Sequence, residues 1–392
     1  MNTKRLSILM CLILLLSGCA LPEDQRFINP TEPIVWEPTE PKATQAPDET
    51  KAATPPSEKT AEQIAYNLSK EQRIAQLFLV KCPAGGAAAL LEEYDVGGIV
   101  LYDQDTAGET PSSLRSEIAN YQTLVPVKLI IAVDEEGGIV NRVSSREAFR
   151  DEPFPAPHDV YMAGGISAVK ETEAEKARFL RDLGINLNLA PVCDVVTEDD
   201  AFMADRSLRL TEIETAETVA AMVQAMQSNG VGAVLKHFPG YGNLIGDTHT
   251  GKVVDDRSIG MLRAYDFKPF QKGIKAGVGA VMVGHSIVNA IDARYPASLS
   301  EKVIDVLRGE LEFEGVIITD DITMGAVAEY YDASEATINA ILAGNDMILT
   351  GWSEKQFQAV YDAVYRDGRI SEERLMESVI RIIQWKMDLG LL

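Results

Sequence analysis

Between residues 76 and 350, eight short apolar runs rich in β-branched residues recur along the chain, and a stretch with helical periodicity separates most neighbours. They read QLFLVK (76–81), GGIVLY (97–102), KLIIAV (128–133), NLNLA (186–190), GAVLK (232–236), AVMVG (280–284), GVIIT (315–319) and DMILT (346–350). Runs of this length with this composition form strands buried on both faces. The intervening SAVKETEAEKARFLRDLG, TAETVAAMVQAMQSNG and SEATINAILAG read as helices, each closed by the glycine expected just past a helix end. Eight strand–helix units predict an α/β fold, a closed (β/α)8 TIM-type barrel forming a single catalytic domain over residues 60–392. An open doubly wound sheet is the structural rival, but no GxGxxG opens a helix after a strand, which weakens its dinucleotide-binding form. The tail, residues 354–392, reads as helical, with no second domain visible after the barrel.

Two segments precede the barrel. In residues 1–18, Lys4 and Arg5 stand ahead of an apolar run over 6–16, a signal-peptide pattern too short to span a bilayer. Leu16-Ser17-Gly18-Cys19 resembles the bacterial lipobox, which implies cleavage before Cys19 and lipid attachment to its thiol. The expected location is therefore extracytoplasmic, lipid-anchored to the bacterial cell membrane. Residues 19–59 follow as a linker, with eight prolines between 21 and 56 and a reach of about 35 Å or more. Against 59 acidic residues stand 36 Lys and Arg, and the net charge of −23 argues against a nucleic-acid partner. Cys82 and Cys193 lie in or beside apolar segments and read as buried thiols.

In such a barrel the site lies at the carboxyl ends of the strands. The residues found there are unusually polar. The third strand leads into Asp134-Glu135-Glu136-Gly137-Gly138 and on to Asn141-Arg142; the fourth leads through Pro191 to Asp194 and then Asp205-Arg206. The fifth ends at Lys236-His237 and opens the loop KHFPGYGNLIGDTHTG, the sixth ends at His285, and the seventh at Asp320-Asp321. Three of the four histidines follow barrel strands, and only His158 falls elsewhere. Each residue also has a plain structural reading: Asp320 or Asp321 as a helix N-cap, His285 as a satisfied histidine near the core, Asp247 and His249 as solvated loop residues, Arg142 and Arg206 as partners of acidic neighbours. Their convergence on one face of the barrel favours a site.

Together these segments resemble the β-N-acetylhexosaminidase branch of glycoside hydrolase family 3, from about residue 61 to 392. AVDEEGGIVNR is similar to the family's DQEGGRVxR, LNLAPVCDV and DRS to its APVxDV and xRS pieces, LKHFPGYGNLIGDTHTG to KHFPGHGxxxxDSH, and GVIITDDITMGAV to GVIxSDDLxM. The resemblance implies a retaining exo-β-N-acetylglucosaminidase acting on peptidoglycan fragments or related N-acetylglucosamine-ended glycans. It implies Asp320 as nucleophile, His249 as general acid and base with Asp247 as its partner, and Asp134, Arg142, Arg206, Lys236 and His237 as holders of the terminal sugar. Asp194 would support the pocket floor. No cofactor or metal is implied, and a monomer is expected.

Four positions depart from the pattern: Tyr241 replaces a histidine, Ile139 an arginine, Glu135 a glutamine and Thr248 a serine. Alternatives within the family are a β-glucosidase or β-xylosidase, or a phosphorylase. A catalytically silent sugar-binding lipoprotein is the rival from another class. A metal-dependent barrel hydrolase finds no HxH on the first strand and no HExxH.

Overall fold

The computed structural model describes residues 59–392. The expected signal peptide, the lipidation site Cys19 and all but the last residue of the linker lie outside the described residues. All eight expected strands form, and they build one parallel barrel: β1 (Phe78–Lys81), β2 (Gly98–Leu101), β3 (Ile130–Val133), β4 (Leu187–Asn188), β5 (Gly232–Phe238), β6 (Ala280–Val283), β7 (Val316–Thr319) and β8 (Ile348–Gly351). From β1 to β7 each strand pairs with its successor, and β8 returns beside β1 with Phe78 opposite Ile348. The ring closes through an Ile318–Met347 bridge, where Met347 N donates to Ile317 O at 3.0 Å and Thr319 N to Met347 O at 3.0 Å. An open doubly wound sheet would leave two unpaired edges, and this closure removes them.

Strands β2, β3, β6 and β7 are buried along their whole length. Helices cover the outer face and packed side chains fill the inside, so these strands carry continuous apolar runs rather than alternation. The longer outer helices are α1 (Pro111–Leu124), α2 (Pro157–Asp182), α3 (Glu212–Ser228), α4 (Phe267–Lys275), α5 (Ala333–Ala343), α6 (Glu354–Tyr365) and α7 (Glu372–Asp388). Thr211 and Glu214 form a reciprocal capping box at the start of α3, and Gly344 ends α5 at φ 112°. Helix α2 begins ten residues before the segment read as helical and is broken by non-helical Gly164 and Gly165.

Two strands differ from expectation. β4 is two residues long rather than five, because the Asn188 side chain takes over pairing with the end of β3: Glu135 N donates to Asn188 Oδ1 at 3.0 Å and Asn188 Nδ2 to Glu135 O at 2.9 Å. Leu189 N still donates to Val133 O and Ala190 O still accepts from Val234 N, both at 2.8 Å; Pro191 then offers no N–H, and a Val192–Lys236 bridge follows. β5 runs on to Phe238, past a register shift against β6. Cys82 and Cys193 are buried free thiols as read, and burial pushes Cys82 up to about 12.

The end of the barrel away from the site hangs on Asp346, fully buried just before β8. Its carboxylate takes Arg308 Nη2 at 2.6 Å, Arg381 Nη1 at 3.2 Å, Ser378 Oγ at 2.6 Å and Ile317 N at 3.0 Å, tying β7 and β8 to α7. Asp346→Ala leaves these cations without their shared anion and is expected to lower the urea-unfolding free energy by about 3–5 kcal/mol. Turnover by the folded fraction should stay unchanged, since this face carries stability rather than the site.

Candidate active site

A cavity of about 320 Å³ opens at the carboxyl ends of the strands. Asp134, Arg142, Arg206, Lys236, His237, His249 and Asp320 all line it. Asp247 stands directly behind His249. All eight residues singled out for catalysis or sugar binding are therefore brought to one place. Four acids (Asp134, Glu136, Asp320, Asp321) meet four bases (Lys81, Arg142, Arg206, Lys236) in the lining. Despite a chain charge of −23, the cavity is balanced, which suits a neutral polar ligand rather than a cation.

The floor is a chain of charge-assisted contacts. Lys236 Nζ lies 2.6 Å from Asp134 Oδ1 and 2.5 Å from Glu136 Oε1, and Arg206 grips Glu136 with two N–H groups at 2.9 and 2.6 Å. Burial by itself would raise the Glu136 carboxyl, but Lys236 and Arg206 outweigh it and hold the group far below the ordinary glutamate range. Burial would likewise lower Lys236, and Asp134 and Glu136 reverse that. Beneath them the buried Lys176 donates to Glu136 O at 2.9 Å and pairs with Glu173 at 2.7 Å. Arg142 is steadied by Asp103 at 2.7 Å.

Asp194 is buried under His237, as the reading of it as floor support requires. Its Oδ2 meets His237 Nδ1 at 2.9 Å and its Oδ1 accepts from Tyr241 N at 2.6 Å. A carboxylate only accepts, so Nδ1 carries the proton and Nε2 is left to the cavity. The Lys236–His237 peptide is cis, and both side chains face the same space.

The two neighbouring aspartates after β7 separate into different jobs. Neither caps a helix, since the helix that follows, Gly325–Ala328, has Met324 at its N-cap with no side-chain cap bond; Asp321 closes a local turn instead, its Oδ1 accepting from Thr323 N at 2.9 Å and Thr323 Oγ1 at 2.7 Å, while its Oδ2 meets Lys81 Nζ at 2.5 Å. Asp320 accepts Asp321 N at 2.8 Å on Oδ1, and its other oxygen has no protein partner among the described residues. Burial would raise the Asp320 carboxyl; His285 and His237, the Asp321 N–H and the Lys236 charge outweigh it, so the group lies below the ordinary aspartate value and is a carboxylate at neutral pH. His285 proves to be the satisfied histidine. Its Nε2 donates to Asp321 O at 2.9 Å, its Nδ1 accepts from Ser298 Oγ at 2.7 Å, and burial lowers its pKa, so it braces the turn as a neutral ring.

On the loop after β5, Asp247 Oδ1 accepts from both His249 N at 2.9 Å and His249 Nδ1 at 2.6 Å. This fixes the tautomer with Nε2 as the exchangeable nitrogen. The ring itself is more than half exposed. The loop docks on the segment beyond Asp321 through Gly325 N to His249 O and Ala326 N to Thr248 O, both 3.0 Å. A Cβ at residue 325 would fall 2.9 Å from His249 O, so only glycine permits this approach. An ionised carboxylate and a carboxylate-backed imidazole thus share one polar cavity, an arrangement able to supply a nucleophile and a proton carrier.

A family model described as the glycosyl hydrolase family 3 N terminal domain matches residues 69–385. The chain belongs to glycosyl hydrolase family 3. The β-hexosaminidase LpqI of Mycobacterium tuberculosis is 31% identical over 331 residues, which cover 81% of this chain and 83% of that protein. A β-hexosaminidase of Stenotrophomonas maltophilia is 36% identical over 279 residues, 69% of this chain and 81% of its own. Among solved structures, a family 3 β-N-acetylglucosaminidase from Paenibacillus sp. str. FPU-7 superposes with a TM-score of 0.77 at 30% identity, covering 83% of this chain but only 63% of that one. The M. tuberculosis LpqI structure gives 0.77 at 29%, covering 84% and 96%.

Within the family 3 cavity, sequence reading passed over Glu136 and Lys81, and behind it Asp103. Glu136 had a signal: alternation along an extended strand end puts it on the same side as Asp134. Glu135, the residue between them, turns away and accepts Arg142 N and Val143 N at 2.9 Å on one oxygen and Ser144 N at 3.0 Å on the other, so both of its oxygens act as acceptors where a glutamine would offer only one. Ile139, the other departure on this ribbon, is exposed and outside the lining. Glu136→Gln strips the floor of its central anion and is expected to cost about 3–5 kcal/mol in urea unfolding at pH 7. Because the folded pKa is depressed, that cost is present in full above the ordinary glutamate value of 4.5 and shrinks as pH falls below it. Unfolding curves of wild type and variant across pH 3–7 check both statements.

Proposed function

We propose that the protein is a retaining exo-β-N-acetylglucosaminidase, releasing terminal N-acetylglucosamine from peptidoglycan fragments or related glycans. The observation that carries this reading is the shared cavity: the Asp320 carboxylate and the Asp247-backed His249 open onto one space whose floor is set with paired charges suited to sugar hydroxyls. β-Hexosaminidase is also the activity named for the curated relatives.

In the proposed reaction Asp320 attacks the anomeric carbon while His249 Nε2–H protonates the departing glycosidic oxygen, giving a covalent glycosyl-enzyme. His249, now neutral, takes a proton from water as that water attacks the same carbon and expels Asp320. Histidine suits both halves because its ordinary pKa lies near neutrality. Asp134, Arg142, Arg206, Lys236 and His237 hold the terminal sugar. Outside the described residues, we place the catalytic domain as a monomer on a lipid-modified Cys19 at the outer side of the bacterial cell membrane, with the Pro-rich segment as its tether.

A chromogenic β-N-acetylglucosaminide should be hydrolysed well ahead of the matching glucoside and xyloside. Asp320→Ala should abolish that hydrolysis, and His249→Ala should lower it by about 10²–10⁴-fold. Full turnover in the Asp320 variant, or binding of the glycoside with no turnover by the wild type, would overturn the mechanism. For the anchor, Cys19→Ser is expected to move activity from the membrane fraction to the soluble extracytoplasmic fraction; retention on the membrane would refute it.

A further inference from the structure

Tyr241 stands where the KHFPGHG pattern carries its second histidine, and the structure gives the replacement a definite task. Its phenol oxygen donates to Gly246 O at 2.9 Å and accepts from Thr248 N at 3.2 Å. Those residues flank Asp247, the carboxylate that fixes both the backbone and the ring of His249. At its other end, Tyr241 N donates to Asp194, which holds His237 on the cavity floor. A single residue therefore joins the floor to the loop bearing the imidazole.

The ring is only 5% exposed, and it sits in a small apolar cluster separate from the barrel core, with Val192, Val196, Ala201, Met203, Ala204 and Val253. Phe202 continues the stack upward, 5.6 Å from the Tyr241 ring and 6.4 Å from the His249 ring. Burial raises the phenol's pKa, so the O–H remains a donor across the neutral range. An imidazole would put its donor and acceptor on different atoms and would gain a second donor on protonation. A phenol does both from one oxygen and does not titrate there.

Resting on the reading of His249 as the proton carrier, we infer that Tyr241 is the positioning residue of the Asp247–His249 pair. Its bridge between Gly246 and Thr248 holds the imidazole at the reach required by the departing oxygen. His249 gets little packing of its own, being more than half exposed, so its placement depends on this bridge and on the two main-chain bonds to Gly325 and Ala326.

The test compares wild type, Tyr241→Phe and His249→Ala on two N-acetylglucosaminides: the dinitrophenyl glycoside, whose leaving group departs without a proton, and the methyl glycoside, whose leaving group needs one. Through kcat/KM, both report formation of the glycosyl-enzyme. Tyr241→Phe should lower kcat/KM on the methyl glycoside by about 10- to 100-fold, through kcat with KM little changed. On the dinitrophenyl glycoside it should change kcat/KM by less than about threefold. Equal losses on both substrates, as general disordering of the site would give, or no loss on either, overturn the inference. A His249→Ala variant that keeps wild-type kcat/KM on the methyl glycoside instead overturns the reading on which it rests. Tyr241→His supplies a second check, because the inference predicts an added ionisation in its pH–rate profile near neutrality, and a profile matching the wild type counts against it.

Discussion

The Lys236 ammonium, buried between Asp134 and Glu136, is the contact on which the site depends. It joins the ends of β3 and β5 across the barrel mouth, and through Glu136 it draws in Arg206 from the long connection after β4. Three separate stretches of chain are locked by charges that none could bury alone, since an unpaired ion in this position would cost several kcal/mol. Paired, these groups keep fixed positions with no solvent reorganisation. A sugar's hydroxyls would meet such positions as ready donors and acceptors.

The barrel separates holding from doing. At one end Asp346 gathers arginines, the Ser378 hydroxyl and the Ile317 amide into a closed network. At the other, most charged side chains also have a partner, yet several present an unspent edge to the cavity. Asp320 is the clearest case: one oxygen is occupied by its neighbour's N–H and the other is unpartnered among the described residues, while Asp321 beside it is fully engaged. Two adjacent aspartates of one motif thus differ by what surrounds them rather than by type.

Much of this was legible in the sequence because the barrel imposes a period. Eight apolar runs located eight strands, and the rule that sites gather at strand ends then placed Asp134, Lys236, His237 and Asp320 around one cavity. Side-chain pairing across distant segments was not legible. Nothing in the order of residues says that Asn188 replaces the backbone ladder beside Glu135, which is why β4 is shorter than its apolar run. Nor does spacing alone say which of Asp320 and Asp321 is tied to Thr323 and Lys81, or that both nitrogens of His285 are spent on Ser298 and Asp321. Glu136 was hidden for a different reason: in a run of three acids, only the alternation of an extended backbone tells which two look inward.

The close approach at Gly325 has a mechanical corollary. The strap carrying the imidazole is sewn by two amide threads to the stretch of chain that issues from the Asp320–Asp321 turn. Lifting that strap clear would first unpick those stitches, and any shift of the turn would drag the strap with it. The carboxylate and the imidazole are thereby geared together, and a disturbance reaching one is passed along the main chain to the other.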